Sequence, residues 1–189
     1  MPTKMFPALM AGVAIAVAGG TYANAEMKAE KTVMVGGAAM YPSRNIVENA
    51  VNSKDHTTLV AAVKAAGLVD TLASPGPFTV FAPTNAAFKK LPAGAVDGLL
   101  QPAQKDALTG VLTYHVVPGR MSAQDLTAKV KAGGGKAMLK TAQGETLTVS
   151  QHDGALMLTD AKGGMAHITI ANVNQSNGVI HVVDSVLMP

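Results

Sequence analysis

The chain has 189 residues and a formal net charge of +3, from 15 basic and 12 acidic side chains. It has no cysteine, no tryptophan and only three tyrosines. Disulfide bonds are therefore excluded, and a nucleic-acid interface that depends on stacked aromatic side chains is not predicted. The stability of the fold has to come from its hydrophobic core.

The amino terminus has the pattern of a secretory signal peptide. Lys4 is the only charged residue before Glu26, and residues 9–18 form an apolar run. This run is shorter than the roughly 20 apolar residues that cross a bilayer, and Ala23-Asn24-Ala25 is a small-x-small cleavage site. We predict that residues 1–25 are removed, that the protein is secreted or periplasmic, and that nothing stays inserted in the membrane. An uncleaved amino-terminal anchor is the alternative.

Residues 26–44 mix charges, Gly36-Gly37 and small side chains without a regular period, which predicts a flexible lead-in. No internal repeat is present, so residues 45–189 are predicted to form one domain. Asn45 is expected to cap a helix over residues 46–50, because its side-chain oxygen can accept a first-turn N–H.

The first half of the domain is predicted to be mostly helical. Apolar residues at three- and four-residue spacing predict a helix over residues 59–66, which Gly67 closes in the left-handed conformation. Residues 78–82 are aromatic and β-branched, which favours a buried strand, and Phe81 is expected to be fully buried. Thr84 is predicted to cap a helix over residues 85–90.

A further apolar stripe at Leu108, Val111 and Leu112 predicts another helix. Ser122 and Asp125 have the spacing of a capping box. Beyond Gly135 the pattern alternates instead, which predicts short strands at 138–141, 147–149, 155–159, 166–170 and 179–183. Helices followed by strands indicate an α+β fold.

Two dipeptides are expected to make tight hairpin turns. Asp153-Gly154 and Asn177-Gly178 each lie between two predicted strands. Both pairs combine residues that tolerate positive φ, as turns of this kind require.

Chain spacing gives no catalytic or metal-binding constellation. The five histidines are separate in sequence, and His115 and His181 lie among apolar residues, which favours neutral core side chains with hydrogen-bonded rings. There is no cysteine nucleophile and no Gly-x-Ser-x-Gly motif. We predict no enzymatic activity, cofactor or metal, although spacing leaves convergence of ligands in space open.

Four lysines are the one local excess of charge: Lys129, Lys131, Lys136 and Lys140, interrupted by glycines 133–135. A solvated face with a flexible loop is one interpretation. Weak attraction to an acidic polysaccharide or an anionic surface is the other.

Three segments in order carry a resemblance to a known family: Thr79-Val-Phe-Ala-Pro-Thr-Asn-Ala-Ala-Phe-Lys-Lys-Leu-Pro92, Leu112-Thr-Tyr-His-Val-Val-Pro-Gly119 and Asn177-Gly-Val-Ile-His-Val-Val-Asp-Ser-Val-Leu-Met-Pro189. They resemble the two conserved motifs and the central Tyr-His motif of the fasciclin domain, over about residues 46 to 189. The resemblance implies a β wedge of about seven mostly antiparallel strands with several α-helices packed beside it. It also implies a secreted or surface adhesion and interaction module.

The resemblance supplies four candidate partner-binding residues. In animal members, a Tyr-His motif with bulky aliphatic neighbours is associated with integrin-dependent adhesion, and Tyr114 and His115 match it here. A second adhesive element, an Asp-Ile pair, corresponds to Asn172 and Val173, so a neutral amide replaces the carboxylate. Binding to an animal integrin is therefore not favoured. The same Tyr114 and His115 also fit a buried core strand.

The leading hypothesis is an exported, non-enzymatic adhesion module that binds a cell-surface or extracellular protein or polysaccharide, and no nucleic acid. One alternative is a periplasmic small-ligand carrier, suggested by Met138, Met157 and Met165. Another is a structural or stress-related envelope protein. The oligomeric state is left open.

Overall fold

The computed structural model of the chain describes residues 31–189. The predicted signal peptide and its cleavage site lie outside the described residues. Seven α-helices lie within residues 31–189: Ile46–Ala50 (α1), Thr57–Ala66 (α2), Val69–Ala73 (α3), Asn85–Lys89 (α4), Ala95–Leu99 (α5), Lys105–Tyr114 (α6) and Ala123–Ala132 (α7). Short 3-10 turns precede α2 and α6, at Lys54–His56 and Pro102–Gln104.

The same residues contain nine strands: Val33–Val35 (β1), Ala38–Met40 (β2), Phe78–Pro83 (β3), Val116–Pro118 (β4), Lys136–Lys140 (β5), Thr146–His152 (β6), Ala155–Thr159 (β7), Met165–Gln175 (β8) and Gly178–Val183 (β9). Strands β1 and β2 form a separate hairpin, and the other seven form one sheet in the order β4-β3-β9-β8-β7-β6-β5. Only the β3–β9 pair is parallel. The predicted α+β architecture of about seven mostly antiparallel strands with helices beside them is confirmed.

The sheet curls until its two outer strands approach each other. The backbone N–H of Ala142, just after β5, donates to the Val116 carbonyl in β4 at 2.7 Å. Because so few bonds join β4 to β5, the sheet is nearly a barrel with an incompletely closed seam.

Strand β3 lies between two hydrophobic cores because both of its faces are apolar. Val80 and Ala82 pack with the helices on one side of the sheet. Phe81 points to the other side, inside the curled sheet, where it is fully buried as predicted and stacks on His181 with ring centroids 5.7 Å apart. The period-two alternation of a strand thus splits one short segment between two cores.

The amino-terminal hairpin corrects the prediction for part of the lead-in. Gly36 and Gly37 have φ of 58° and 76°, the left-handed pair that a two-residue hairpin turn needs. Val35 and Met40 are each only 3% exposed and belong to the helix-side core. Residues 33–40 are therefore not a mobile lead-in but part of the packed unit. Strands of three residues are too short to show a period in sequence.

The predicted helix caps are present. Asn45 Oδ1 accepts from the Glu48 N–H at 2.9 Å while Glu48 reaches back to the Asn45 N–H at 2.8 Å. Ser122 and Asp125 form the same reciprocal pair around the start of α7. Gly67 closes α2 at φ 73° and Thr84 caps α4. Each of these signals depends only on residues within one turn of the helix end.

The second predicted hairpin turn is shifted by one residue. Asp153 and Gly154 do adopt positive φ, of 47° and 83°. The β8–β9 turn instead consists of Ser176 and Asn177, because Gly178 already pairs with Gln175 as the first residue of β9. A side chain at position 178 would collide with the Phe78 carbonyl oxygen of β3. The glycine is needed for close strand approach, not for a positive φ.

Candidate functional site

Tyr114 is the last residue of α6, not part of a strand, and its side chain is fully buried in the core inside the curled sheet. Its hydroxyl donates to the Thr146 carbonyl at 3.1 Å and accepts from the Ala161 N–H at 3.2 Å. Burial raises the pKa of the phenol, and the Ala161 N–H opposes that shift. The tyrosine therefore ties α6 to the first residue of β6 and to the connection between β7 and β8, and it stays neutral.

His115 follows α6 directly and is buried at the boundary between the two cores. Its Nδ1 lies 2.8 Å from the Val111 carbonyl oxygen, and its Nε2 accepts from the Leu187 N–H at 3.0 Å. The ring is therefore neutral with the proton on Nδ1. Burial lowers its pKa to about 4. This histidine anchors the carboxyl-terminal segment to α6.

Asn172 and Val173 lie at an irregularity in the long strand β8. Asn172 adopts φ of 59°, which asparagine tolerates better than most residues. Its Oδ1 accepts from the Ala123 N–H at 2.7 Å, so the half-buried side chain pairs with the backbone N–H of the first residue of α7. Val173 is 1% exposed and packs in the helix-side core.

The interpretation of His115 and His181 as neutral core histidines is confirmed. His181 Nε2 lies 2.9 Å from the Met121 carbonyl oxygen, and its Nδ1 accepts from the Asn172 N–H at 3.4 Å. Burial lowers the pKa of His181 as well. Both rings hold segments together, and neither has a free nitrogen.

The four candidate residues do not form one exposed patch. Tyr114 points into the curled sheet, while His115 and Val173 line one apolar cavity on the helix side. In this structure none of these three side chains reaches a partner without rearrangement. A role in adhesion for the four residues stays a prediction.

A surface groove lies at the seam of the sheet. It has a volume of about 530 Å³ and lies between β4, β5 and the segment leading into α7. Its walls include Val117, Met121, Met138 and Lys140. Met138 is 80% exposed, the highest exposure among the large apolar side chains of the described residues.

Lys129 and Lys140 line this groove, and Lys131 and Lys136 lie on the same two elements, α7 and β5. Lys129 and Lys131 are in the last turn of α7, and Lys136 and Lys140 are the ends of β5. All four are exposed, and within residues 31–189 none of them lies within salt-bridge distance of a carboxylate. We call this surface, formed by the groove and the four lysines, the basic seam.

The glycines between these lysines form an ordered helix end instead of a flexible loop. The N–H of Gly135 donates to the Val130 carbonyl at 2.8 Å and that of Gly133 to the Lys129 carbonyl at 2.9 Å. Gly134 and Gly135 have φ of 69° and 104°. The lysines on α7 and β5 are therefore held near each other by a defined turn.

No group of three or more His, Asp or Glu side chains converges at metal-binding distance in the described part of the chain. Sequence reasoning missed one residue of interest, His56, which is buried at the start of α2. The sequence pattern that could have indicated this burial is Ser53, three residues earlier. Its hydroxyl lies 2.9 Å from His56 Nδ1.

Comparison with known proteins settles the family. The sequence profile described as "Fasciclin domain" matches residues 54–189. The chain belongs to the fasciclin family. It is 48% identical over 170 residues to "Protein sll1483" of Synechocystis sp., which covers 89% of this chain and 87% of that protein.

Two further likenesses are to a bacterial cell-surface protein and to a solved fasciclin structure. It is 38% identical over 122 residues to "Cell surface glycolipoprotein MPB83" of Mycobacterium bovis, covering 65% of this chain and 48% of that protein. The solved domain pair of the insect cell adhesion molecule fasciclin I superposes with a TM-score of 0.70, covering 79% of this chain and 52% of that one. At 18% identity the latter concerns the fold alone. No helix within residues 31–189 has the length and apolar character to cross a bilayer.

Proposed function

We propose that this fasciclin protein is an exported, non-enzymatic adhesion and interaction module that binds a negatively charged surface protein or polysaccharide through the basic seam. The observation that carries the proposal is the strongly exposed Met138 in a groove lined by Lys129 and Lys140, with Lys131 and Lys136 on the same two elements. None of the four lysines forms a salt bridge among the described residues. The family assignment and the cell-surface relative support a place outside the cytoplasm. Removal of residues 1–25 as a signal peptide belongs to the same proposal.

The chemistry of the basic seam fits an acidic polymer. Lys129 attracts the Asp125 carboxylate one turn earlier on α7, but none of the four lysines forms a salt bridge within residues 31–189. Little therefore has to be broken when an anionic partner binds. The field of the four lysines attracts anionic groups over about one Debye length, roughly 8 Å at physiological salt. Met138 and Met121 give the groove an apolar wall that can adapt its shape, since methionine is unbranched and flexible. A stable contact buries about 800 Å² on each partner. The groove and the four lysines together can supply part of that area.

An attachment assay tests the proposal. Deleting the gene should reduce cell–cell or surface attachment, and purified protein added back should restore it. Protein carrying Lys129→Glu and Lys140→Glu should not restore attachment. The matched control carries Lys89→Glu and Lys105→Glu, which change the net charge equally at exposed sites elsewhere. Equal restoration by both double variants would exclude the basic seam, and unchanged attachment after deletion would exclude adhesion.

The methionines that suggested a small-ligand carrier do not form an internal site. Met138 and Met165 are exposed, at 80% and 57%. Met157 is half-buried in β7 of the same sheet. None of the three methionines lines the helix-side cavity. Other residues form the walls of that cavity.

A further inference from the structure

We propose that the helix-side cavity is a binding site for a small, uncharged, apolar molecule that carries one hydroxyl group, and that His56 Nε2 is its hydrogen-bond partner. The cavity lies between the β1–β2 hairpin, helices α1 and α2, and the sheet. A site of this kind goes beyond adhesion at the basic seam, which is on a different surface.

The cavity is large enough for more than solvent and too apolar to hold it well. Its volume is about 50 Å³, whereas one water needs roughly 10–15 Å³ by the same measure. The walls are almost wholly aliphatic, with Val35, Ile46, Leu59 and Ile180 among them. An ordered water needs two to four polar partners, and this cavity does not supply that many. An apolar body with a single polar group fits better.

His56 supplies that single polar group. Its side chain lines the cavity, and the residue is 3% exposed. Nδ1 lies 2.9 Å from Ser53 Oγ, but Nε2 has no hydrogen-bond partner within the described residues. The Ala82 carbonyl partly opposes the lowering of the His56 pKa by burial, but it does not meet hydrogen-bond geometry with Nε2. An unpaired buried nitrogen is costly, so a ligand that pairs with it gains affinity.

The other buried polar side chain in the wall is already satisfied. Both ring nitrogens of His115 have partners, the Val111 carbonyl and the Leu187 N–H. Lys64 belongs to the wall too, but it is exposed on the outer side of α2. With the half-buried Val60 it marks the part of the wall nearest to solvent, where a ligand could enter.

The Ser53–His56 hydrogen bond leaves Nε2 as either a donor or an acceptor, and a single hydroxyl can satisfy both cases. If Ser53 donates to Nδ1, Nε2 carries the proton and donates; if Nδ1 donates to Ser53, Nε2 accepts. A hydroxyl can both accept and donate, so it pairs with either tautomer. A carboxylate would bury a charge against a neutral ring, because burial lowers the pKa of His56.

One wall of the cavity consists of residues that precede the part of the chain matched by the fasciclin profile. Val35, Met40, Ile46, Val47 and Ala50 all line the cavity, and the family match begins at residue 54. The hairpin thus acts as a cover over a pocket whose floor is the sheet. The ligand is therefore recognised jointly by the hairpin segment and the fasciclin core.

Phenol and toluene provide the test, because they differ by one hydroxyl. In methyl-detected NMR of the purified protein, phenol should shift the signals of Val35, Ile46 and Ile180 and the imidazole ¹⁵N of His56. Phenol should bind about tenfold more tightly than toluene, as expected for one buried hydrogen bond. His56→Leu should keep toluene binding and remove the preference for phenol.

A filled cavity provides the control. Val35→Phe places a ring in the same space and should abolish binding of both compounds, while its other methyl signals stay dispersed. The proposal is overturned if phenol leaves the cavity methyl signals unshifted at millimolar concentration, or if phenol and toluene bind wild type equally. Undiminished binding to Val35→Phe overturns it as well. The comparison of phenol with toluene on the wild-type protein does not depend on the folding of any variant.

Discussion

At the scale of single residues, three buried histidines form hydrogen bonds while uncharged, two of them between distant segments. His115 joins α6 to Leu187, His181 joins β9 to Met121, and His56 joins the start of α2 to Ser53. Burial is the largest cause of the lowered pKa in each of the three. Protonating any of them would place a positive charge in an apolar core and, for His115 and His181, set two donors against each other.

Acid should therefore destabilise the fold in a defined range. The folded-state pKa values lie below the ordinary value of 6.5, so the unfolded chain binds more protons as pH falls. The free energy of unfolding should be unaffected above pH 7 and decline below about 6.5. For His115 the decline amounts to about 1.4 kcal/mol per pH unit at most and levels off below its folded pKa of about 4. Urea unfolding at several pH values measures it.

Two variants isolate the contribution of His115. His115→Gln should show a smaller change of unfolding free energy between pH 7 and pH 4 than wild type, whatever its absolute stability. His152→Gln changes a side chain that is 81% exposed and should leave the pH dependence as it is. An identical slope for His115→Gln and wild type would show that this ring is not held neutral by the fold.

Phe81 carries a large part of the core inside the curled sheet. It is fully buried between β3 neighbours and the His181 ring. Phe81→Ala should lower the free energy of unfolding by about 3–5 kcal/mol, because it removes apolar contact and leaves a cavity. Phe78→Ala, in the same strand at a half-buried position, should cost clearly less. Equal losses in thermal and urea unfolding would mean that Phe81 is not a core anchor.

At the scale of elements, helix caps could be predicted from sequence but the last hairpin turn could not. The bonds of Asn45 with Glu48 and of Ser122 with Asp125 lie within one helical turn, so the local pattern specifies them. The β8–β9 turn is set by partners far along the chain. Asn177 Oδ1 accepts from the Ile46 N–H, 131 residues away. Its Nδ2 donates to the Leu72 and Ser74 carbonyls.

These three bonds make Asn177 a link between the sheet and helices α1 and α3. Asn177→Ala should lower the free energy of unfolding by at least about 2 kcal/mol, because it leaves buried backbone groups without partners. Asn174→Ala is the matched control, since this neighbouring side chain is exposed and bonds only to the Asn172 carbonyl. Its cost should stay within about 0.5 kcal/mol. If the two variants unfold at the same urea concentration, the link is not a stabilising one.

At the scale of the whole molecule, the α+β class and the burial of His115 and His181 could be predicted because each depends on local patterns. The basic seam and the cavity could not. The groove exists only because the sheet curls until β4 meets the end of β5, an approach visible in the bond from Ala142 to Val116. The cavity needs the hairpin to cover the sheet, and the three-residue strands around Gly36 and Gly37 have no detectable period.

The position of the lysines, not the net charge, should govern binding to acidic polymers. The whole chain carries only +3, too little to hold such a polymer without local concentration of charge. Wild-type protein should be retained on immobilised heparin, a sulfated polysaccharide, and released as salt screens the contact. Replacing Lys129, Lys131, Lys136 and Lys140 with glutamine should move elution to clearly lower salt. Replacing the exposed Lys54, Lys64, Lys89 and Lys105 instead removes the same charge elsewhere and should have a smaller effect. Equal shifts for the two sets would assign retention to net charge and leave the basic seam without a role.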